Sequence, residues 1–192
     1  WLAAQGGELL VEVVRLFASM SSYDASDDRF HITGVMGPDE FHDGYPGRSG
    51  EGLDDNAYTN IMTAWLCRHA VEIFRVLSSH EAEDLIFRLG IQPAEITHWG
   101  RLAARLAVPF NSDGVISQFE GYDDLQELDW AAYRKKYGNI GRMDLIMESE
   151  GDSTNNYKLS KQADVTMLFF LLGPEGVIKE LRRMGYEFTQ EQ

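Results

Sequence analysis

Apolar residues recur at three- and four-residue spacing along much of this chain, and this pattern limits the fold to helices that pack on helices. Leu10, Val13 and Phe17 keep the spacing within 5–20, which predicts an amphipathic helix there. The same spacing predicts further helices at 57–77, 82–89, 99–106, 125–137, 161–172 and 177–184, and short extended segments are predicted at 29–33 and 115–122.

Two of the predicted helices are apolar on nearly every side. They are the first half of 57–77 and the part of 161–172 that follows Ala163. Such helices are buried on most sides, whereas a helix with one apolar face lies at the surface. Inner and outer helices together predict an all-α fold with two concentric layers, either an α/α toroid or an α-solenoid. Because no repeat of fixed period is present, we expect the toroid.

The charge balance limits the partners of this chain. It has 17 Lys and Arg residues against 31 Asp and Glu residues, and its formal net charge is −14 at pH 7. This charge disfavours nucleic acids and anionic membrane surfaces. No apolar run reaches the roughly 20 residues that span a bilayer. Since Cys67 is the one cysteine and no signal-peptide pattern is present, we predict a cytoplasmic protein without nucleic-acid or membrane partners.

The first residue is Trp1 rather than Met, and the helical period is already present where the chain begins. We therefore expect the chain to be part of a longer polypeptide. Part of any active site would then lie outside it.

A glycine-rich loop at 34–54 carries two adjacent carboxylates, Asp39 and Glu40, among apolar residues. Burial against those residues would raise the pKa of either carboxyl and keep it protonated near neutral pH, as a general acid requires. A solvated turn is the alternative interpretation. Asp39, His42 and Asp43 could instead be metal ligands, but no second histidine cluster supports such a site. We predict no metal.

A second polar cluster lies at the start of the helix predicted at 161–172. Ser160 is a suitable N-cap, which would place Lys161 and Gln162 in the first helical turn. A lysine there opposes the helix dipole at a cost of about 0.3–1 kcal/mol. The ammonium, the amide and the free N–H groups together form donors suited to sugar hydroxyls or an oxyanion. A solvated first turn is the alternative.

Two further sets of residues stay open at this point. The aromatic residues that could line a carbohydrate platform, or belong to the core, are Tyr58, Trp65, Trp99, Phe119, Tyr122 and Trp130. The carboxylates that could act as a second catalytic group in a hydrolase are Glu120, Asp129, Glu148 and Glu150. The sequence selects none of them.

Four motifs follow one another along the chain. They are Gly-Val-Met-Gly-Pro-Asp-Glu-Phe-His at 34–42, Asp-Asn-Ala-Tyr-Thr-Asn at 55–60, Gln-Phe-Glu-Gly-Tyr at 118–122 and Ser-Lys-Gln-Ala-Asp-Val at 160–165. Together they resemble the catalytic domain of glycoside hydrolase family 65, the group of maltose, trehalose and kojibiose phosphorylases and related glucosidases. The resemblance covers essentially the whole chain.

The resemblance implies roles for three residues: Glu40 as the general acid that protonates the glycosidic oxygen, and Lys161 and Gln162 as substrate contacts. It also implies an (α/α)6 barrel, of which 1–192 would form about half, as a partial catalytic domain. An N-terminal β-sandwich, the early barrel helices and a C-terminal β domain would lie outside the chain. The implied partner is a small carbohydrate, and no cofactor is implied. Inorganic phosphate would be the co-substrate if the protein is a phosphorylase. A homo-oligomer is left open.

The implied reaction is the inverting cleavage of an α-glucosyl disaccharide by phosphorolysis. The alternatives are inverting hydrolysis by a glucosidase of the same family, and an isolated chain that is an inactive structural or weak carbohydrate-binding unit. The insertion at 43–54 is longer than the turn typical of a maltose phosphorylase, so we expect a different acceptor side. The family's Trp-Glu motif and its phosphate loop are expected before Trp1 and after Gln192.

Overall fold

The computed structural model describes residues 1–189, and helices dominate this part of the chain. The helices are α1 (Gly7–Met20), α2 (Ala57–Val76), α3 (Ser79–Leu89), α4 (Pro93–Arg105), α5 (Trp130–Tyr137), α6 (Met143–Glu150) and α7 (Asp164–Arg183). Strands β1 (Ser21–Asp24) and β2 (Arg29–Ile32) form an antiparallel hairpin. A π-helical turn, Leu2–Gly6, precedes α1, and short 3-10 turns lie at Tyr122–Asp124 and Thr154–Asn156. The prediction of a mostly helical fold is confirmed.

The chain forms two compact units. The first unit comprises 1–32, 59–107 and the described residues from Leu168 onward; the second comprises 33–58 and 108–167. All three predicted site residues, Glu40, Lys161 and Gln162, belong to the second unit. The arrangement as half of an (α/α)6 toroid stays a prediction.

The core of the first unit consists of the apolar faces of its helices. Val14 of α1, Leu85 of α3 and Trp99 of α4 are fully buried. Helix α3 begins with reciprocal hydrogen bonds, because the Ser78 hydroxyl accepts the Glu81 N–H at 3.4 Å and the Glu81 carboxylate accepts the Ser78 N–H at 2.9 Å. This is the capping box that marks a stable helix start.

The core of the second unit anchors the glycine-rich loop. Phe41 belongs to this core together with four buried residues from 128–159: Leu128, Met143, Met147 and Leu159. The loop is closed by a bridge between Val35 and Leu53, whose backbone groups exchange hydrogen bonds of 3.0 and 2.7 Å. A Cβ at Gly52 would lie 2.3 Å from the carbonyl carbon of Gly34, so this closure requires glycine. The two ends of the loop that carries the candidate acid are therefore held together.

The last helical segment begins later than the sequence predicts. Helix α7 starts at Asp164, and Lys161 and Gln162 lie in a bend before it. The helix is broken at Gly173, where φ is 70° and ψ is 161°, and continues from Pro174. Proline lacks the N–H that an uninterrupted helix needs. As predicted, one helical segment ends at 172 and a separate segment follows it.

The described chain buries only one side of 161–172, so the prediction of an inner helix stays a prediction. Leu168 is buried, but Phe169, Phe170 and Leu171 are 37%, 89% and 49% exposed. The prediction assumed neighbours on every side, and residues 1–189 cover only the Leu168 side of this segment. No helix within this range has the length and apolar composition needed to cross a membrane.

The region 115–137 is less regular than predicted. Ile116 forms a single bridge with Phe110 rather than a strand. The helix predicted from 125 begins only at Trp130, because Asp129 accepts the Ala132 N–H at 2.9 Å and caps it there. Strand β1 and helix α6 were not predicted; β1 is polar and largely exposed, so it lacks the alternation that identifies a strand.

Candidate active site

The first, second and fourth sequence motifs meet within the second unit. The Asp39 carboxylate accepts the backbone N–H groups of Lys161 at 3.0 Å and Gln162 at 3.3 Å. The Asn56 amide donates to Asp164 Oδ2 at 3.0 Å. Segments far apart in sequence are thus joined by side chains that belong to the motifs themselves.

The third motif joins the same cluster through Gln118 and Phe119. The Gln118 carbonyl accepts the Ala57 N–H at 3.0 Å, and its side-chain oxygen accepts the Val165 N–H at 3.4 Å. The Phe119 ring lies edge-on to the His42 imidazole, with ring centroids 5.1 Å apart. All four motifs therefore contribute to one region of the second unit.

Glu40 and Lys161 are in direct contact. Glu40 Oε2 lies 2.5 Å from Lys161 Nζ, and their side chains are 66% and 39% exposed. The predicted burial of Glu40 is therefore wrong. Phe41 takes the core position and leaves Glu40 at the surface, while the buried carboxylate of the loop is that of Asp39.

The predicted placement of Lys161 and Gln162 in a first helical turn is also wrong. Both precede α7, and Asp39 Oδ1 accepts both of their N–H groups. Backbone N–H groups at a helix start are otherwise available to a ligand. The donors that remain for a ligand here are the side-chain ammonium and amide, and both side chains are exposed.

Gly37 allows the acidic turn to approach the neighbouring motifs closely. A Cβ at this position would lie 2.1 Å from Asp164 Oδ2 and 2.4 Å from Asn56 Nδ2. Any larger residue would displace these two buried side chains. The glycine of the Gly-Pro-Asp-Glu segment is thus explained by packing.

Asp164 is a buried carboxyl next to this turn. Burial raises its pKa and the negative charge of Asp39 adds to the effect, whereas the hydrogen bond from Asn56 opposes it. Burial also raises the pKa of Tyr122 to about 12, again with a contribution from the Asp39 charge. The Asp39 charge therefore contributes to the raised pKa of both groups.

A cavity of about 370 Å³ opens beside Glu40. Its lining residues are Glu40, Phe41, Asp43, Ser49, Asp144, Glu148, Asp152, Ser153 and Thr154. No lysine or arginine among residues 1–189 contributes to this lining. Carboxylates accept hydrogen bonds from hydroxyl groups and repel anions. The lining thus suits an uncharged, hydroxyl-rich ligand better than a phosphate.

The sequence did not identify the part of this lining that follows α5. Asp144 and Glu148 lie on α6, which was not predicted, and Ser153 and Thr154 follow it. Thr154 Oγ1 donates to the Phe41 carbonyl, which attaches this segment to the loop of the candidate acid. Neither apolar spacing nor a motif in the sequence indicates that these residues lie beside Glu40.

The four carboxylates left open by the sequence occupy different positions. Glu148 lines the cavity, Glu120 is exposed, and Asp129 caps α5. Glu150 accepts hydrogen bonds from Lys136, Tyr137 and Tyr133, and these lower its pKa to about 2. Only Glu148 of the four shares the cavity with Glu40.

Two of the candidate aromatic residues, and Asp43 among the candidate metal ligands, are held by contacts within the fold. Trp99 and Phe119 are buried at 0% and 2% exposure, so they are core side chains rather than an exposed platform. The Asp43 carboxylate accepts from the Asn155 amide at 2.7 Å and from the Ser49 hydroxyl at 3.0 Å. The Asn155 bond in particular holds the pKa of Asp43 below its usual range.

The chain matches the family described as "Glycosyl hydrolase family 65 central catalytic domain" over residues 1–192. The helical fold and the meeting of all four motifs in one unit agree with this match. The chain belongs to glycosyl hydrolase family 65.

Its relatives are longer proteins. It is 49% identical over 192 residues to an uncharacterized glycosyl hydrolase of Mycobacterium tuberculosis, covering 100% of this chain and 14% of that protein. It is 37% identical to a trehalose 6-phosphate phosphorylase of Lactococcus lactis and 32% identical to a kojibiose phosphorylase of Halothermothrix orenii, in each case covering 96% of this chain and 22% of the relative. The chain therefore spans less than a quarter of the length of these relatives.

A solved structure supports the fold. A putative kojibiose phosphorylase from the human microbiome matches with a TM-score of 0.71 at 22% identity, covering 95% of this chain and 24% of that chain. At this identity the likeness concerns the fold alone.

Proposed function

We propose that the complete protein cleaves an α-linked glucosyl disaccharide by phosphorolysis, with inversion at the anomeric carbon and with Glu40 as the general acid. The observation that carries this proposal is the contact of Glu40 with Lys161 beside a cavity of about 370 Å³ that Glu40 lines. The names of the phosphorylases among its relatives support it. The particular disaccharide is left to experiment.

In the proposed reaction, the Glu40 carboxyl donates a proton to the glycosidic oxygen. The bond from the anomeric carbon to that oxygen breaks, and the acceptor sugar leaves as a neutral alcohol. Inorganic phosphate attacks the opposite face of the anomeric carbon through an oxocarbenium-like transition state. Phosphate is already anionic, so this path needs no catalytic base. Lys161 and Gln162 donate hydrogen bonds to the substrate, and no cofactor takes part.

The exposed ion pair has a place in this mechanism. Lys161 Nζ contacts Oε2 of Glu40, one of the two oxygens that can carry the transferred proton. Exposed ion pairs contribute only about 0–1 kcal/mol, so a substrate hydroxyl can replace Glu40 as the acceptor for Lys161. We infer that substrate binding separates the pair and turns Glu40 towards the glycosidic oxygen.

The charge around the cavity supports a division of the site between sugar and phosphate. The side that Glu40 lines is acidic, which favours a neutral sugar there, and we propose that phosphate approaches from the opposite face. We further propose that residues 1–192 form about half of an (α/α)6 barrel. The similarity of fold to a chain of which this sequence covers 24% supports that arrangement.

The substitution Glu40→Gln in the complete protein tests the proposal. We expect turnover to fall about 10²–10⁴-fold, the usual contribution of a general acid, with no change in Tm because the side chain is exposed. The assay supplies maltose, trehalose or kojibiose with and without phosphate, and measures release of the sugar phosphate.

A matched control is Glu127→Gln. Glu127 is 77% exposed and also pairs with a lysine, Lys158, at 3.4 Å, but it does not line the cavity. Its substitution should leave turnover unchanged. Turnover like that of the wild type in Glu40→Gln would remove Glu40 from the mechanism.

Inverting hydrolysis is a second candidate, favoured by one observation. Glu148 lines the same cavity as Glu40, and a hydrolase needs a second carboxylate to activate water. The same assay separates the two functions, because release of two free sugars without phosphate would favour hydrolysis.

A further inference from the structure

Asp39 is a buried carboxylate that the proposed mechanism does not use. We propose that Asp39 is a positioning residue, which fixes the backbone of Lys161 and Gln162 so that their side chains reach Glu40 and the substrate. This inference rests on the proposed function, because it assigns Asp39 a role through the substrate contacts of that same site.

The first support is the geometry around Asp39 Oδ1. This atom accepts the N–H groups of Lys161 at 3.0 Å and Gln162 at 3.3 Å, and that of Phe41 at 3.4 Å. Hydrogen bonds to an ionised acceptor are stronger than those between neutral groups. One oxygen therefore ties the bend before α7 to the loop of the candidate acid.

The second support is the position of Asp39 in the chain. Asp39 precedes Glu40 directly, so one peptide unit separates the anchor of the bend from the candidate acid. The segment before it is also fixed, because Gly37 packs closely against Asn56 and Asp164. A displacement of the bend would therefore move Lys161 relative to Glu40.

The other carboxylate oxygen of Asp39 determines which substitution tests the proposal. Within residues 1–189, neither Asp39 Oδ2 nor His42 Nδ1 has a hydrogen-bond partner, and the two atoms lie 3.7 Å apart. His42 Nε2 lies 3.0 Å from the Tyr157 carbonyl, and since a carbonyl can only accept, this nitrogen carries the proton. An asparagine at position 39 would keep an oxygen for the N–H groups of the bend and would place an amide nitrogen on the His42 side. Asp39→Asn can therefore keep the anchor while it removes the charge.

The test compares Asp39→Asn with Asp39→Ala in the complete protein. In Asp39→Asn the amide oxygen can accept the same N–H groups and the amide nitrogen can donate to His42 Nδ1. This variant should keep most of the wild-type kcat/KM. Asp39→Ala removes the anchor and should lower kcat/KM by about 10- to 100-fold, mainly through a higher KM for the disaccharide.

A double-mutant cycle separates positioning from a general structural role. If Asp39 acts through the bend, Asp39→Ala should have no further effect on kcat/KM when Lys161 and Gln162 are both alanine. Multiplicative effects would overturn the proposal. Ser78→Ala, which removes the cap of α3 in the first unit, is the stability control and should leave kcat/KM unchanged.

Two further outcomes are decisive. If Asp39→Ala does not fold, Asp39→Asn still decides, because a folded Asp39→Asn with the low activity of Lys161→Ala would show that the charge matters and the anchor does not. If Glu40→Gln and Lys161→Ala both leave kcat/KM unchanged, the proposed function fails. If both lower kcat/KM and the cycle is multiplicative, only the positioning role fails.

Discussion

Two ion pairs, one in each unit, show how burial separates a structural contact from one available for chemistry. In the first unit, the Arg68 guanidinium binds both carboxylate oxygens of Glu180, at 3.2 and 2.7 Å, and these side chains are 18% and 3% exposed. In the second unit, Lys161 contacts Glu40 through a single atom pair, and both side chains are exposed. The first pair is bidentate and largely removed from water, whereas the second can exchange partners.

The chemistry of the two cations adds to this difference. A guanidinium presents its donors in a planar fork that matches a carboxylate, whereas an ammonium is a point charge on a flexible stem. The Arg68 pair links α2 to α7 and is extended by Glu72 at 3.3 Å and Arg183 at 3.5 Å. We therefore expect the loss of one charge to affect stability strongly in the first unit and weakly in the second.

The largest expected effect on stability is that of Arg68→Ala. Removal of one partner from a buried pair typically costs about 3–5 kcal/mol, because the other charge is left without compensation. We expect about 3 kcal/mol here, since Arg183 still contacts Glu180. Denaturant unfolding of the complete protein measures this loss, and kcat should be unchanged in the native state.

The double variant Arg68→Met, Glu180→Leu is the control. Apolar replacement of both partners should restore much of the stability. A loss in Arg68→Ala no larger than that in Lys161→Ala would remove the distinction between the two ion pairs.

The comparison extends to Asp164, a buried carboxyl whose hydrogen-bond partner is the Asn56 amide rather than a cation. Burial raises its pKa, so its folded-state pKa lies above the unfolded value of about 3.9. Its contribution to stability is then full below the unfolded pKa and is lost as the pH rises through the folded pKa. The substitution Asp164→Asn removes this loss and keeps an oxygen for the Asn56 amide.

We therefore expect Asp164→Asn to have a higher Tm than the wild type at pH 7, by less than the shift in Arg68→Ala. This advantage should shrink as the pH falls through the folded-state pKa of Asp164 and should be nearly gone below about 4. Thermal unfolding of the two proteins between pH 3 and pH 8 measures it. If the difference in Tm between Asp164→Asn and the wild type were equal at every pH, the titration of Asp164 would not contribute to stability.

Periodicity and local signals predicted much of the helical framework. The apolar spacing located α1 and α2 within a few residues, and Gly90 ends α3 in the left-handed conformation as expected of a C-cap glycine. Both signals act within a few residues along the chain, which is why the sequence reveals them. The roles of Glu40 and Lys161 came from the resemblance to the family and not from periodicity.

The burial of neighbouring carboxylates could not be predicted in this way. Asp39 and Glu40 have the same local composition, and distant packing decides which of them is buried. Phe41 shares a buried cluster with Met143 and Met147, about a hundred residues away in the sequence. The start of α7 is set in the same manner, because Asp39 accepts the N–H groups of the bend. Such long-range contacts leave no periodic signal.

The smallest expected effect on stability is that of Lys161→Ala. Its exposed contact with Glu40 should contribute less than about 1 kcal/mol, and the Asp39 bond to the Lys161 N–H does not depend on the side chain. The same variant should raise KM for the disaccharide, because it removes a substrate donor. Lys158→Ala is the matched control: Lys158 pairs with Asp123 at 3.0 Å, and its loss should leave both stability and KM nearly unchanged. If Lys161→Ala lowered stability by about 3 kcal/mol with KM unaffected, the exposed pair would be as structural as the buried one.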